Sequence, residues 1–294
     1  MKSGFVSIVG RPNVGKSTLI NNLVGSKVAI ISNKPQTTRN NIQGIYHEQD
    51  TEIVFIDTPG IHKPNHKLGQ YLNKQAYYSL SDSDVILFLI DASMSLGKGD
   101  QFVLDKIKEI KKPVILVINK IDKINKEDLM NKILEYKDLY DFADIVPISA
   151  LKKDNTKELI KVIKKYLKDE IKYYDDDQIT NKSTKFLIAE IIREKVFNLT
   201  EEEVPHSVTC LVEHIEKNKN SYVINATIIV DRDSLKKIIL GSKGSKIKQI
   251  GSLARKDIEQ LLGSKVYLDL FVKTIKKWRD KDKYLSEFGF DEFE

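Results

Sequence analysis

Between the apolar run Phe5–Val9 and a helical pattern opening at Lys16 lies Gly10-Arg11-Pro12-Asn13-Val14-Gly15-Lys16-Ser17, a GxxxxGK[ST] turn in strand–turn–helix context. No other stretch limits the fold as strongly. Such a turn belongs at the carboxyl edge of a buried strand, where its glycines let backbone N–H groups wrap phosphate oxygens and the next helix adds its positive end. A mostly parallel sheet with helices on both faces provides that setting. The pattern up to Leu167 agrees: candidate strands Phe5–Val9, Ile42–Tyr46, Ile53–Asp57, Val85–Asp91, Val114–Asn119 and Ile145–Ser149 alternate with helical segments such as Gln101–Lys111 and Thr156–Leu167.

At 294 residues, with 41% hydrophobic and 31% charged side chains, the chain has enough material for two cores and too much apolar content for disorder. The periodicity breaks between Lys168 and Lys182, where Tyr173-Tyr174-Asp175-Asp176-Asp177 is polar and acidic, so a linker is expected there. A different order of elements follows. Phe186–Phe197 reads as a helix, Ser207–Glu216 and Tyr222–Asp231 as strands around a Lys217–Asn220 turn, Ser234–Leu240 and the stretch ending at Leu262 as helices, and Val266–Val272 as a strand. Cys210 is the sole cysteine, which excludes an internal disulfide and suits a reducing cytosol. No leader peptide is expected ahead of Phe5, and no apolar run is long enough to cross a bilayer.

The chemistry-bearing residues fall at strand ends. Lys16 is placed to neutralise terminal phosphates, Ser17 to offer its hydroxyl to Mg2+, and Thr18 to join the nucleotide-binding residues of the turn. Asp57-Thr58-Pro59-Gly60 closes the third strand, where the carboxylate faces the metal and the Gly60 amide faces the γ-phosphate. After the fifth strand comes Asn119-Lys120-Ile121-Asp122. A carboxylate at Asp122 accepts two hydrogen bonds from guanine N1–H and the 2-amino group, a pair that adenine lacks, so GTP is favoured over ATP. Lys120 would lie along the base, Asn119 would tie loops together, and Ser149-Ala150 would give a backbone contact to guanine O6. Imidazoles at His62 and His66 lack a third ligand, which makes them loop residues rather than a metal site.

In the second half, Gly241-Ser242-Lys243-Gly244 joins two helices. From Ser234 to Arg279 there are twelve Lys/Arg and three Asp/Glu, an excess of nine on a chain whose net charge is +6. Concentrated positive charge suits a polyanion, while a solvated helix face is the plainer alternative. Lys246 and Lys248 stand next to the glycine turn. Trp278, among Lys276, Lys277 and Arg279, reads as a core residue before it reads as a base-stacking one.

Taken with Pro35-Gln36-Thr37-Thr38-Arg39, Asp57-Thr58-Pro59-Gly60-Ile61-His62-Lys63-Pro64 and Gly241-Ser242-Lys243-Gly244-Ser245-Lys246-Ile247-Lys248, the chain resembles the Era family of bacterial ribosome-assembly GTPases over nearly its whole length. The resemblance implies an α/β P-loop GTPase domain with a mostly parallel six-stranded sheet over residues 1–168. A linker over 169–184 and a smaller α+β type II KH domain with a C-terminal tail over 185–294 would follow. It implies GTP and GDP as ligands, Mg2+ held by Ser17, Thr38 and Asp57, and a first switch at Gln36–Arg39 in which Thr38, with Thr37 as the alternative, meets the metal and γ-phosphate. A second switch would run from Gly60 to about Leu72.

Catalysis would then rest on Lys16, Thr38 and Gly60. The position where many GTPases orient water with glutamine is Ile61 here, and no side-chain base replaces it. A K+ ion near Asn13 and a plain loop-stabilising role for Asn13 both stay open. By the same resemblance the RNA contacts are Gly241, Ser242, Lys243, Gly244, Lys246 and Lys248. The implied partner is the 3′ end of 16S ribosomal RNA in the 30S subunit, and the protein a cytoplasmic monomer. Peripheral contact with the cytoplasmic face of the inner membrane is a family analogy without a hydrophobic anchor in this sequence. Lys153 and the Asn181–Phe186 stretch depart from the family pattern. Two other readings, a GTPase of tRNA modification or membrane transport and an RNA binder with a degenerate nucleotide fold, fit less well. The first leaves a KH domain idle, and the second leaves Lys16, Ser17, Asp57 and Asp122 unexplained.

Overall fold

A computed structural model describes residues 1–32, 34, 38–59 and 66–290. The main division of the chain falls between Asn181 and Lys182 and separates two compact units. The first unit runs β1 (Lys2–Val9), α1 (Lys16–Val24), β2 (Ile42–Glu48), β3 (Thr51–Asp57), α2 (Lys67–Asp82), β4 (Val85–Asp91), α3 (Lys98–Ile107), β5 (Val114–Asn119), α4 (Lys126–Lys137), β6 (Asp144–Pro147) and α5 (Thr156–Tyr166). Its sheet has the order β2-β3-β1-β4-β5-β6. All pairs are parallel except β2 with β3. Every residue of β3, β4 and β5 is buried, which is why these strands read as nearly unbroken apolar runs. The strand β1 lies between β3 and β4, the point where the strand order reverses, and ligands in open sheets bind beyond the carboxyl ends at such points.

Most expected elements form with ends shifted by a few residues, and three departures bear on the site and its surroundings. The strand β6 stops at Pro147 rather than Ser149; Ile148 N–H still donates to the Ile118 carbonyl at 2.8 Å, and Ser149 forms a separate bridge with Asp154. The helix α3 begins at Lys98, capped by the Asp100 carboxylate accepting from the Gly97 N–H at 3.0 Å. It ends at Ile107, short of Pro113.

The third difference corrects the linker. Most of 169–184 is not a free tether. Ser3 N–H donates to the Asp169 carbonyl at 2.8 Å, the fully buried Glu52 carboxylate accepts from Tyr173 N at 2.7 Å and Tyr174 N at 3.2 Å, and Ile45 N–H donates to the Ile179 carbonyl at 3.0 Å. The segment is therefore tied to β1 at Asp169 and to β3 at Tyr173 and Tyr174, and its end over 178–181 covers the outer side of β2. An edge strand leaves N–H and C=O groups open, and a buried carboxylate needs donors; the segment meets both demands with backbone atoms, which leave no mark in a sequence.

The second unit comprises α6 (Thr184–Leu199), β7 (Val208–Asn218), β8 (Ser221–Val230), α7 (Asp233–Leu240), α8 (Ser245–Leu262), β9 (Lys265–Thr274) and α9 (Asp282–Glu287). Its sheet is β7-β8-β9, antiparallel then parallel. Ile188, Ile192 and Val196 of α6, Ile228 of β8, and Ile250 and Ile258 of α8 meet in one core. Trp278 is fully buried, donates Nε1–H to the Ser207 carbonyl at 3.1 Å and stacks with Phe290. It is a core residue, as the plainer reading had it.

Candidate functional site

The phosphate turn leaves β1 and enters α1, whose first turn carries no acidic residue to compete for its N–H groups. Gly15 has φ 105, and a Cβ there would lie 2.3 Å from Asn119 Nδ2, so only glycine permits this approach. Lys16 is 7% exposed and donates Nζ–H to the Gly10 and Arg11 carbonyls, each at 3.0 Å. Burial pushes its pKa down, with the Asp57 carboxylate acting in the opposite direction. The Arg11 side chain turns away from the turn and meets buried Asp100 of α3 at 2.9 Å, so Arg11 serves the site through its backbone. Pro12, Asn13, Gly15, Lys16, Ser17 and Thr18 line one cleft of about 430 Å3 together with Thr38, Asn119, Lys120, Asp122 and Ala150. Val14 is buried beneath it.

Three oxygens converge at the end of β3. Asp57 Oδ2 accepts from Ser17 Oγ and from Thr38 Oγ1, both at 2.9 Å, and the two hydroxyls are 3.4 Å apart. Hard oxygen donors from a serine, a threonine and a carboxylate suit Mg2+. Thr58 is fixed by its hydroxyl donating to the Ile8 carbonyl at 2.9 Å, and Pro59 is buried behind it. The expectations placed on Gly60, Gln36, Thr37, Ile61 and His62 lie outside the described residues. No cluster of three or more potential metal-binding side chains of the His, Cys, Asp and Glu type occurs among the described residues.

The base side is held by side-chain clamps. Asn119 donates Nδ2–H to the Val14 carbonyl at 2.7 Å and accepts the Ala150 N–H at 2.9 Å. That amide is thus engaged by Asn119. Ser149 donates its hydroxyl to Asp122 Oδ1 at 2.5 Å and fixes the carboxylate. Lys120 bridges the Asn13 carbonyl and Asp91 Oδ2, both at 2.7 Å. Burial pushes the Asp91 carboxyl up, yet hydrogen bonds from Lys120 and Ser93 outweigh it and hold the pKa below the ordinary value. Sequence reasoning missed Asp91, Asn21 and Asn22. Asn21 accepts from Val28 and Ala29 N–H at 2.9 Å, and Asn22 donates to the Ala150 carbonyl. Two adjacent asparagines inside a helix, where their propensity is poor, were the available signal.

In the second unit Gly241 (φ 70), Lys243 (φ 49) and Gly244 (φ 75) form the left-handed turn that opens α8, and Ser242, Lys243 and Lys248 are exposed. Lys246 is half-buried against the turn, with its Cβ 2.8 Å from where a Gly241 Cβ would lie. A groove between α8 and the edge strand β9 is lined by Ile247, Lys248, Ser252, Arg255, Tyr267 and Asp269, among others. Backbone N–H groups at its head, cations along one wall and apolar floor residues are what a single-stranded nucleic acid requires.

A family model described as "50S ribosome-binding GTPase" matches residues 5–120, and a KH domain model matches residues 203–279. The chain is similar to a crystal structure of a tyrosine-to-alanine variant of Aquifex aeolicus Era bound to GDP·AlF4−, at 45% identity and a TM-score of 0.95 over 99% of both chains. It is equally similar, with the same identity, coverage and TM-score, to a crystal structure of Era in complex with MgGDPNP and nucleotides 1506–1542 of 16S ribosomal RNA.

Proposed function

Because the chain belongs to the Era family of GTPases, we propose that it assists maturation of the small (30S) ribosomal subunit by binding the single-stranded 3′ end of 16S ribosomal RNA through its KH unit under the control of GTP. The chain itself is a GTPase that takes GTP and GDP with Mg2+. Ser17, Thr38 and Asp57 are the residues that would hold the metal, whose charge supports the triphosphate and offsets negative charge developing at the γ-phosphoryl group. Lys16 holds the terminal phosphates, the first-turn N–H groups of α1 surround them, and Asp122 chooses the purine.

Thr38 reports on the γ-phosphate because it is the described first-switch residue that touches the Asp57 carboxylate. The observation that carries the RNA reading is the glycine turn at the head of α8 and its basic groove, within a chain alike over 99% of its length to Era in complex with 16S RNA. Under this reading the protein is a cytoplasmic monomer, and its contact with the 30S subunit is made through that RNA. Binding of a 16S 3′-end oligonucleotide, measured with GDPNP, with GDP and with no nucleotide, tests it. Failure to prefer that sequence over a scrambled one would sink the RNA assignment.

A monovalent cation at Asn13 is part of the same proposal. Asn13 has φ 65 and its carbonyl is bound by Lys120, which leaves the loop shape fixed for a further ligand. Single-turnover hydrolysis should be faster in K+ than in Na+, and equal rates would remove the ion from the mechanism.

A further inference from the structure

The helix α1 grows out of the phosphate turn, and one and a half turns along it Asn21 and Asn22 spend their side chains on the two loops that wall the base cleft. Asn21 accepts from Val28 N and Ala29 N, each at 2.9 Å, and donates to the Ala29 carbonyl at 2.7 Å, just before cleft residues Ile30 and Ile31. Asn22 donates Nδ2–H to the Ala150 carbonyl on the other wall. Ala150 N–H is taken by Asn119 Oδ1, and Asn119 Nδ2–H by the Val14 carbonyl. These bonds close a ring from the phosphate turn through Asn119, Ala150 and Asn22 back to α1.

A trans peptide is planar, so its C=O and N–H point in opposite directions. Fixing the Ala150 oxygen against α1 therefore fixes the Leu151 N–H on the opposite side. Leu151 lines the cleft, and its amide has no acceptor among the described residues. On the neighbouring loop the Asp122 carboxylate, held by Ser149, is suited to N1–H and the 2-amino group of a purine. The next atom along that edge of guanine is O6, which needs a donor.

We propose that Asn22 is a positioning residue for guanine recognition: by holding the Ala150 carbonyl it aims the Leu151 N–H at the 6-oxo group, while Asn21 fixes the facing wall. The inference rests on the guanine-nucleotide reading of the site. Its test is a comparison of GDP with 6-thioguanosine 5′-diphosphate, which keeps N1–H and the 2-amino group but offers only a weak sulfur acceptor at C6. In Asn22→Ala, GDP affinity should fall about five- to tenfold, the range of one lost hydrogen bond, while affinity for the thio nucleotide falls less than about twofold. Equal losses for both nucleotides would reduce Asn22 to a general brace of the cleft, and an unchanged GDP affinity would remove its role altogether. Asn22→Asp keeps the volume and replaces the donor by an acceptor; it carries the same expectation if the alanine variant does not fold. Failure of the guanine reading would look different, as an unaltered chain that binds ADP as well as GDP.

Discussion

Asp122 and Asp91 show how single carboxylates divide the labour at the base cleft. Asp122 is exposed and lines the cleft, so under the guanine reading Asp122→Asn should leave the fold intact and weaken GDP binding by about 2–3 kcal/mol, roughly 30- to 150-fold, the scale of losing hydrogen bonds to a charged group. The same amide presents a donor to a 2-oxo group, so titration calorimetry should show xanthosine diphosphate gaining as GDP loses. Asp91 is 4% exposed and acts from behind, anchoring Lys120. Its folded pKa lies below the ordinary aspartate value, so its contribution to stability is complete above that ordinary value and is lost as pH falls through the folded pKa. Urea midpoints compared between pH 6 and pH 3 should therefore fall less steeply in Asp91→Asn than in the unaltered chain; identical slopes would show that Asp91 carries no such linkage. Asp122 was legible because it belongs to a short contiguous motif. Asp91 was not, since its partner Lys120 lies 29 positions away and only the parallel pairing of β4 with β5 brings them together.

At the level of elements, the seating of α1 on the sheet decides whether the phosphate turn is in place. Gly44 of β2 permits that seating: a Cβ there would lie 2.7 Å from Ile20 Cγ2 and 2.9 Å from Val24 Cγ2. Gly44→Ala should cost about 1–3 kcal/mol by overpacking, read as a lower urea midpoint at an unchanged slope. The strap over 169–181 is the second element-scale feature. In Glu52→Ala the Tyr173 and Tyr174 amides lose their acceptors, so hydrogen exchange should quicken across the strap while β4 and β5 keep their protection. Unchanged exchange would mean that other contacts hold it. Strands buried on both faces, such as β4 and β5, announced themselves by composition, and α5 by its apolar stripe. The strap did not, because acidic and tyrosine residues read as a tether until Glu52 and the open edge of β2 show what their backbone is bound to.

For the whole molecule, the question is whether nucleotide state and RNA affinity are linked, and linkage is reciprocal. If replacing GDP by GDPNP changes RNA affinity by some factor, saturating RNA must change the ratio of GDPNP to GDP affinity by the same factor. Gly244 provides the means to separate the two halves of that cycle. Its φ of 75 favours glycine, yet a Cβ there would meet nothing closer than Ile247 Cγ2 at 4.0 Å, so Gly244→Asp has room and costs backbone strain of about 1–2 kcal/mol. The new carboxylate would stand at the head of α8, where phosphates are expected, and repel them. RNA affinity should fall at least about tenfold, while GDP affinity and hydrolysis in the absence of RNA stay as they were. RNA should also lose its influence on nucleotide binding in this variant, since an effector that does not bind cannot shift an equilibrium. RNA affinities that are equal with GDPNP, GDP and no nucleotide in the unaltered chain would show that the two activities share a chain without sharing free energy.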